Sequence, residues 1–345
     1  MHALCAVLPL ALLAFASRAI CQQADTDRDG LSDALEQRLL QQFEPSFQIA
    51  RHDCSTQPAE FEPGVRTLAI RREDGTIYGQ VFLAKSSTPQ HPVAEIHYYH
   101  LWRTDCGRHG HPFDTEHVAT LIRADGPDID AASWHAAYWF AAAHENTVCD
   151  VSQIARAATL HAEDHGATVW ISAGKHASYL NETLCNAGCG NDRCTEMSTL
   201  PKTAPINLGE PGHPMNRSLF IASTDLPLAG KMSTSNFPAE PLARLEQLPA
   251  TDIAWYNPGR HPAQGVIAIS SHTQAHIANA GTSTNAAISL AGDNAGDAIS
   301  TAQDHTGNAL LKSYHKTTQA LGSAVRHTAK TLRLATPQPT CAQTN

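Results

Sequence analysis

Beyond its first residues the chain has no apolar run long enough to cross a bilayer, which excludes a helical span from the mature protein. It has no Gly-x-Ser-x-Gly, no phosphate-binding glycine loop and no dinucleotide fingerprint, so nucleophile-elbow hydrolases and nucleotide-binding enzymes find no support. A basic excess is missing too. Lys and Arg number 24 against 33 Asp and Glu, a formal net charge of −9 at pH 7, and this argues against a nucleic-acid partner. Even the start lacks charge, for only His2 precedes the apolar run from Ala3 to Ala16.

That run is too short for a span and small residues follow it, so residues 1–19 read as a signal peptide cut after Ser17-Arg18-Ala19, with Ala14-Phe15-Ala16 as a second site. A lipoprotein signal at Cys21 is disfavoured by Ile20, where a small residue is needed. The expectation is an exported protein, secreted or periplasmic, in a compartment that supplies calcium and permits disulfides. Of nine cysteines the cut removes Cys5, leaving Cys21, Cys54, Cys106, Cys149, Cys185, Cys189, Cys194 and Cys341. An even set in an exported chain reads as disulfides of unassigned pairing. Cys185, Cys189 and Cys194 lie in a Gly/Asn-rich stretch, where a zinc knuckle is the alternative, but that site wants C-x2-C spacing and a fourth ligand.

The sharpest chemical signal is the twelve-residue run Asp25–Glu36. Calcium takes six to eight oxygens, and here Asp25, Asp27 and Asp29 stand at positions 1, 3 and 5, with Gly30 turning the chain at 6. Leu31 offers a carbonyl at 7, Asp33 sits at 9 and Glu36 closes the site at 12. A helix start rich in acids also fits Ser32 and its neighbours, yet a cap requires neither alternate acids nor the spaced Gly and Glu. Because the signal peptide lies directly before it, no helix is expected to enter the loop. It resembles the orphan loops of bacterial dockerin-type modules, which implies a structural Ca2+ clamp.

Leu31, Leu35, Leu39 and Phe43 recur every four residues and predict a helix that stops before Pro45, so residues 20–44 form a calcium loop and helix. From Thr67 the period falls to two. Thr67–Arg72 and Thr76–Ala84 flank Asp74-Gly75 and predict a hairpin. Further strands are expected over Ala94–Arg103, Thr115–Arg123, Ala137–Ala143 and Thr168–Ser172, and a short helix over Lys175–Leu180. His161–Gly166 reads as a helix end or loop, and Pro201–Pro262 as long irregular loops. The fold class is mainly β, with residues 45–265 as a β-sandwich.

Residues 272–335 form a different pattern. Ile277, Ile288, Ile299, Leu310, Leu321 and Leu332 are spaced eleven apart, a helical repeat that favours a right-handed supercoil. Acidic Asp293, Asp297 and Asp304 give way to Lys312, Lys316, Arg326, Lys330 and Arg333. Packing on the parent domain or weak order is one reading of this tail, and a basic face for an anionic membrane surface or cell-wall polymer is the other.

Polar residues gather between Tyr98 and Tyr179. Alternation puts Asp114 and Glu116 on one strand face, His97 and Tyr99 share a face of the strand before, and His144-Glu145 closes the strand after. Carboxylates with imidazoles at strand ends can hold a second divalent metal. The segment Gly110-His111-Pro112-Phe113-Asp114-Thr115-Glu116-His117-Val118 resembles the necrosis-inducing toxin-like proteins of microbes, whose signature is G-H-R-H-D-W-E. It is also similar to the vacuolar protein sorting sixty-two-like family, with D-W-E-H-V and a later S-x-G-x-H-A-x-Y, matched here by Ser172, Gly174, His176, Ala177 and Tyr179. Phe113 replaces a His of the first motif and Thr115 the Trp of both. The resemblance spans roughly residues 94–180 and implies a sandwich in which His111, Asp114 and Glu116 hold a divalent cation at a lipid-binding pocket.

Three functions are compatible with these features. The leading one is a calcium-binding, disulfide-linked exported protein that binds a lipid headgroup or glycan. The second is a metal-dependent hydrolase using His111, Asp114, Glu116 and His176, and the third a structural envelope protein assembled through its repeats.

Overall fold

Four-residue spacing of the first leucines has the expected result. In the computed structural model α1 spans Asp33–Gln42, capped by the Ser32 hydroxyl, which accepts from the Leu35 amide at 3.3 Å. Leu35, Leu39, Leu40 and Phe43 are buried, and Pro45 prevents continuation. The structure describes residues 24–260 except 66–67, 108–109, 128–129, 148–149, 189–191, 219–231 and 233, together with the backbone of 266–268. The expected signal peptide, the repeat tail and Cys21, Cys149, Cys189 and Cys341 lie outside the described residues.

The protein is mainly β and is built around two sheets. The smaller holds β1 (Ser46–Ala50), β9 (Thr168–Ile171), β10 (Ser178–Tyr179) and β11 (Met197–Thr199) in the order β10-β9-β1-β11. The larger runs β12-β4-β5-β6-β7-β8-β15-β16, where β4 is Ile77–Leu83, β5 Val93–Asp105, β6 His111–Ala124, β7 Trp134–Ala141 and β8 Gln153–Arg156. Its edges are β12 (Ile206–Asn207) on one side and β15 (Asp252–Trp255) with β16 (Val266–Ala268) on the other. Phe47, Ile49, Val169 and Ile171 of the small sheet meet Ile96, Tyr98, Trp102, Val118 and Trp139 of the large one, and α1 packs into the same core. The outer face of the large sheet is also covered: Leu121, Phe140 and Ala254 pack with Phe237 and with Leu245 of α3 (Ala239–Glu246). Burial on both faces explains why the central strands read as nearly continuous apolar runs.

Three local expectations are corrected. Asp74-Gly75 does not join a hairpin: β3 (Ile70–Glu73) pairs with β2 (Ala59–Phe61), while β4 pairs with β5 and β12. Arg71 and Arg72 both bind the buried Glu60 carboxylate, which holds β3 on β2 while buried β4 joins the large sheet. Lys175–Leu180 is a turn leading into β10, not a helix. Gly174 has φ +81° and its carbonyl accepts from the amides of Cys106 and Gly107, so the backbone is bound elsewhere. The helix of this region is α2 (Glu182–Asn186), capped by Asn181. Within Pro201–Pro262, expected to be irregular, α3 and β15 are regular elements of the large sheet and its cover.

Two disulfides occur among the described residues, Cys54–Cys106 and Cys185–Cys194. Their sequence separations of 52 and 9 correspond to about 4 and about 3 kcal/mol of unfolded-state entropy.

Chain crossings are tight where the sheet meets the helix exit. A Cβ on Gly166 would stand 1.9 Å from the Glu44 carbonyl oxygen, whereas one on Gly126 would meet nothing within 4 Å. Gly166→Ala should cost about 2–3 kcal/mol in urea unfolding, and Gly126→Ala less than about 0.5 kcal/mol.

Candidate functional site

Two acidic clusters stand out, and they are balanced differently. In the loop Asp25–Glu36, Arg28 and Gly30 take φ of +66° and +96°, which curls the chain so that its carboxylates converge. Asp25 accepts from the amides of Arg28 (2.7 Å) and Gly30 (3.3 Å), and Asp29 from that of Leu31 (2.7 Å). One oxygen each from Asp25, Asp27 and Asp29 lies within 4.8 Å of the others, and the same holds for Asp27, Asp33 and Glu36. Asp27 and Glu36 are buried. Neither Asp27 oxygen has a hydrogen-bond partner, nor has Oε1 of Glu36 or Oδ2 of Asp29. A donor set made only of hard oxygens, four of them buried without a hydrogen-bond partner, has the chemistry that a hard divalent cation takes.

Without an ion these carboxyls hold protons tightly. Burial, with the charge of Glu210, pushes Asp27 up to about 6. Burial, with the charge of Asp27, pushes Asp29 up to about 7. Glu36 goes up to about 9, again by burial first and then by the charges of Asp27 and Asp29.

The second cluster lies where β5 and β6 turn near β10. His111, Asp114 and Asp105 bring one ligand atom each within 4.8 Å. Asp114 Oδ2 is 3.1 Å from Nδ1 of His176, whose ring stacks on Trp102 at 4.1 Å and 7°. His176 is fully buried, and its Nε2 stands 3.6 Å from Asp53 Oδ2. Here one cation, Lys175, is built in. The Lys175 ammonium lies 2.6 Å and His111 Nε2 3.3 Å from Asp105 Oδ2. Burial pushes the Asp114 carboxyl up, but its hydrogen bond to His176 and the charges of His176 and His111 outweigh this and hold it below the usual range.

Glu116 does not join this group. It lies on the same face two residues on, and its charge acts on His144. Burial pushes His144 down, yet the Asp192 carboxylate at 2.6 Å, helped by Glu116, holds it above its usual value. The Tyr179 hydroxyl donates to the same Asp192 oxygen. His97 and Tyr99 are on the opposite face of β5, in a buried network with Glu95 and Gln80.

Sequence reasoning missed Asp105, Asp53 and Lys175. The strand register pairs Asp105 with His111 across their turn, so a symmetric hairpin about Cys106–Gly110 would have pointed to Asp105. Asp53 arrives only through the Cys54–Cys106 disulfide, which sequence alone does not pair. A cavity of 380 Å³ is lined by Gly30 and Leu31 of the loop together with Leu83, Pro89 and Pro92.

No family model matches the chain, and neither a curated protein nor a solved structure matches it.

The loop carboxyls give a definite pH dependence. Each binds its proton more tightly in the folded than in the unfolded chain, so folding takes up protons between about pH 4 and pH 9. Metal-free protein in chelator should therefore lose stability as pH rises through that window. Any cation held by these carboxylates would compete with the same protons, so its affinity should rise with pH; melts and calcium titrations at pH 5.5 and 8 check both.

Proposed function

We propose that the protein is an exported, calcium-clamped, disulfide-linked β-sandwich that binds a surface ligand, a lipid headgroup or a glycan. The observation that carries the clamp is the burial of Asp27 and Glu36 with oxygens that have no hydrogen-bond partner. Such groups are costly unless protonated or bound to a cation, and the loop spacing selects calcium. The two disulfides support an oxidising compartment, and no helix among the described residues is long and apolar enough to cross a membrane.

Ligand binding is assigned to the second cluster, where Asp105, His111 and Asp114 would hold a divalent ion. His111 is exposed while Asp105 and Asp114 are buried, so one side of the centre faces solvent and suits a phosphate or sugar oxygen. Binding is favoured over hydrolysis because, of the two bases such chemistry would use, His176 is fully buried between Trp102 and Asp114 and Glu116 stands outside the cluster. Of the three residues that the resemblance to the toxin-like proteins implies, His111 and Asp114 belong to this cluster and Glu116 does not.

Calcium at a hundred times its Kd should raise stability by about 2.7 kcal/mol, read as a higher Tm than in chelator. Asp25→Ala or Glu36→Gln should remove most of that shift, and equal melting in calcium and chelator would refute the clamp.

Metal content separates the two sites. Protein carrying Asp25→Ala and Glu36→Gln together should still retain a divalent ion, and adding Asp105→Asn and Asp114→Asn should remove it. If the loop-deficient protein holds no calcium, magnesium, manganese or zinc, the second cluster is a hydrogen-bonded network balanced by Lys175.

A further inference from the structure

We infer that the Cys54–Cys106 disulfide is a site of thiol–disulfide exchange, opened in the folded protein by a dithiol reductant, and that opening it releases Asp53 and the Cys106 turn from the second cluster. Its consequence for ligand binding rests on reading Asp105, His111 and Asp114 as a divalent-ion site; the exchange itself does not.

The two disulfides among the described residues differ in access. Cys185 and Cys194 are 0% and 1% exposed and belong to the central core, whereas Cys54 and Cys106 are both exposed. Exchange needs a thiolate to reach a sulfur, so exposed disulfides are the labile ones. Cys54 lies between β1 and β2, in a connection without regular structure, and Cys106 directly follows β5. Their bond closes a ring of contacts that runs through the cluster. Asp53, next to Cys54, accepts from the Gly174 amide at 2.8 Å and stands 3.6 Å from Nε2 of His176. The Gly174 carbonyl accepts in turn from the Cys106 amide at 2.9 Å and the Gly107 amide at 3.1 Å. Asp105, before Cys106, accepts from the Gly107 amide at 2.9 Å and from Lys175 at 2.6 Å. His176 Nε2 is buried without a hydrogen-bond partner, and the Asp53 carboxylate faces it. Once Asp53 swings away, the imidazole that holds Asp114 loses that neighbour. The disulfide is the covalent link in this ring and joins residues 52 apart, so opening it returns the freedom that closure removed.

The exchange balances in two steps. A thiolate of the reductant attacks Sγ of Cys54 or Cys106, and the other cysteine sulfur leaves as a thiolate and takes up a proton. The second thiol of the reductant then displaces the remaining cysteine from the mixed disulfide. Two electrons and two protons pass to the Cys54–Cys106 bond, and the dithiol ends as a disulfide.

The test titrates dithiothreitol into folded full-length protein, alkylates the freed thiols and locates them by peptide mass spectrometry. Cys54 and Cys106 should be alkylated at about tenfold less reductant than Cys185 and Cys194, with far-ultraviolet circular dichroism unchanged. Amide hydrogen exchange at Cys106, Gly107 and Gly174 should then quicken about tenfold or more, and return on reoxidation. Cys54→Ser with Cys106→Ser should show the quickened exchange without reductant. Manganese affinity, measured on protein carrying Asp25→Ala and Glu36→Gln so that the loop does not contribute, should fall about tenfold on reduction. Alkylation of Cys54 and Cys106 no earlier than of Cys185 and Cys194, or only as the far-ultraviolet signal is lost, overturns the exchange site. Early alkylation with unchanged amide exchange, or with manganese held equally in both states, overturns the release from the cluster. Early alkylation and quickened amide exchange in a protein that holds manganese in neither state sustain the inference and refute the ion-site reading.

Discussion

A carboxylate withdrawn from water must be given a proton, donors or a cation, and the N-terminal part of this protein is organised by that requirement. Asp27 and Glu36 are buried because α1 packs Leu35, Leu39 and Leu40 into the central core and takes its first turn inward with them. The apolar face of the helix and the acidic face of the loop are therefore one arrangement. Loosening either exposes the other.

The second cluster meets the same requirement by different means. Lys175 lies on Asp105 with His111 beside it, and Asp114 is hydrogen-bonded to His176, so without an ion each carboxylate still has a partner within the chain. The disulfide from Cys54 to Cys106 sets the turn at Gly174 against Asp53, whose oxygen accepts from the Gly174 amide at 2.8 Å. Trp102 then fixes the ring plane of His176, with its own indole N–H donating to His100 at 2.8 Å. Rigid support of this kind suits a site whose geometry must be preset.

Periodicity in the sequence revealed what local chemistry decides. The helix after the loop, the strands around Ala94–Arg103, Thr115–Arg123 and Ala137–Ala143, and the convergence of the loop acids were legible because each depends on near neighbours. Asp74-Gly75 was misread because a turn signal does not say which strand the next one pairs with; Glu60, bound by Arg71 and Arg72, decides that. Gly174 and His176 lie in a left-handed turn held by the Cys106 and Gly107 amides, and no pattern in Lys175–Leu180 reports contacts so distant. The candidate centre was half legible: His111 and Asp114 by motif, Asp105 only through register, Asp53 only through a disulfide.

The position of β1 has a consequence for how the protein is made. Ser46–Ala50 lies in the middle of its sheet, parallel to Thr168–Ile171 on one side and antiparallel to Met197–Thr199 on the other. Neither neighbour exists when the strand leaves the ribosome, and parallel pairing over such separations closes slowly. The first strand synthesised is thus among the last to find its place. Phe47 and Ile49 stay unsheltered until most of the chain has been released, so folding of this sheet is a late, whole-chain event and needs protection from aggregation until then.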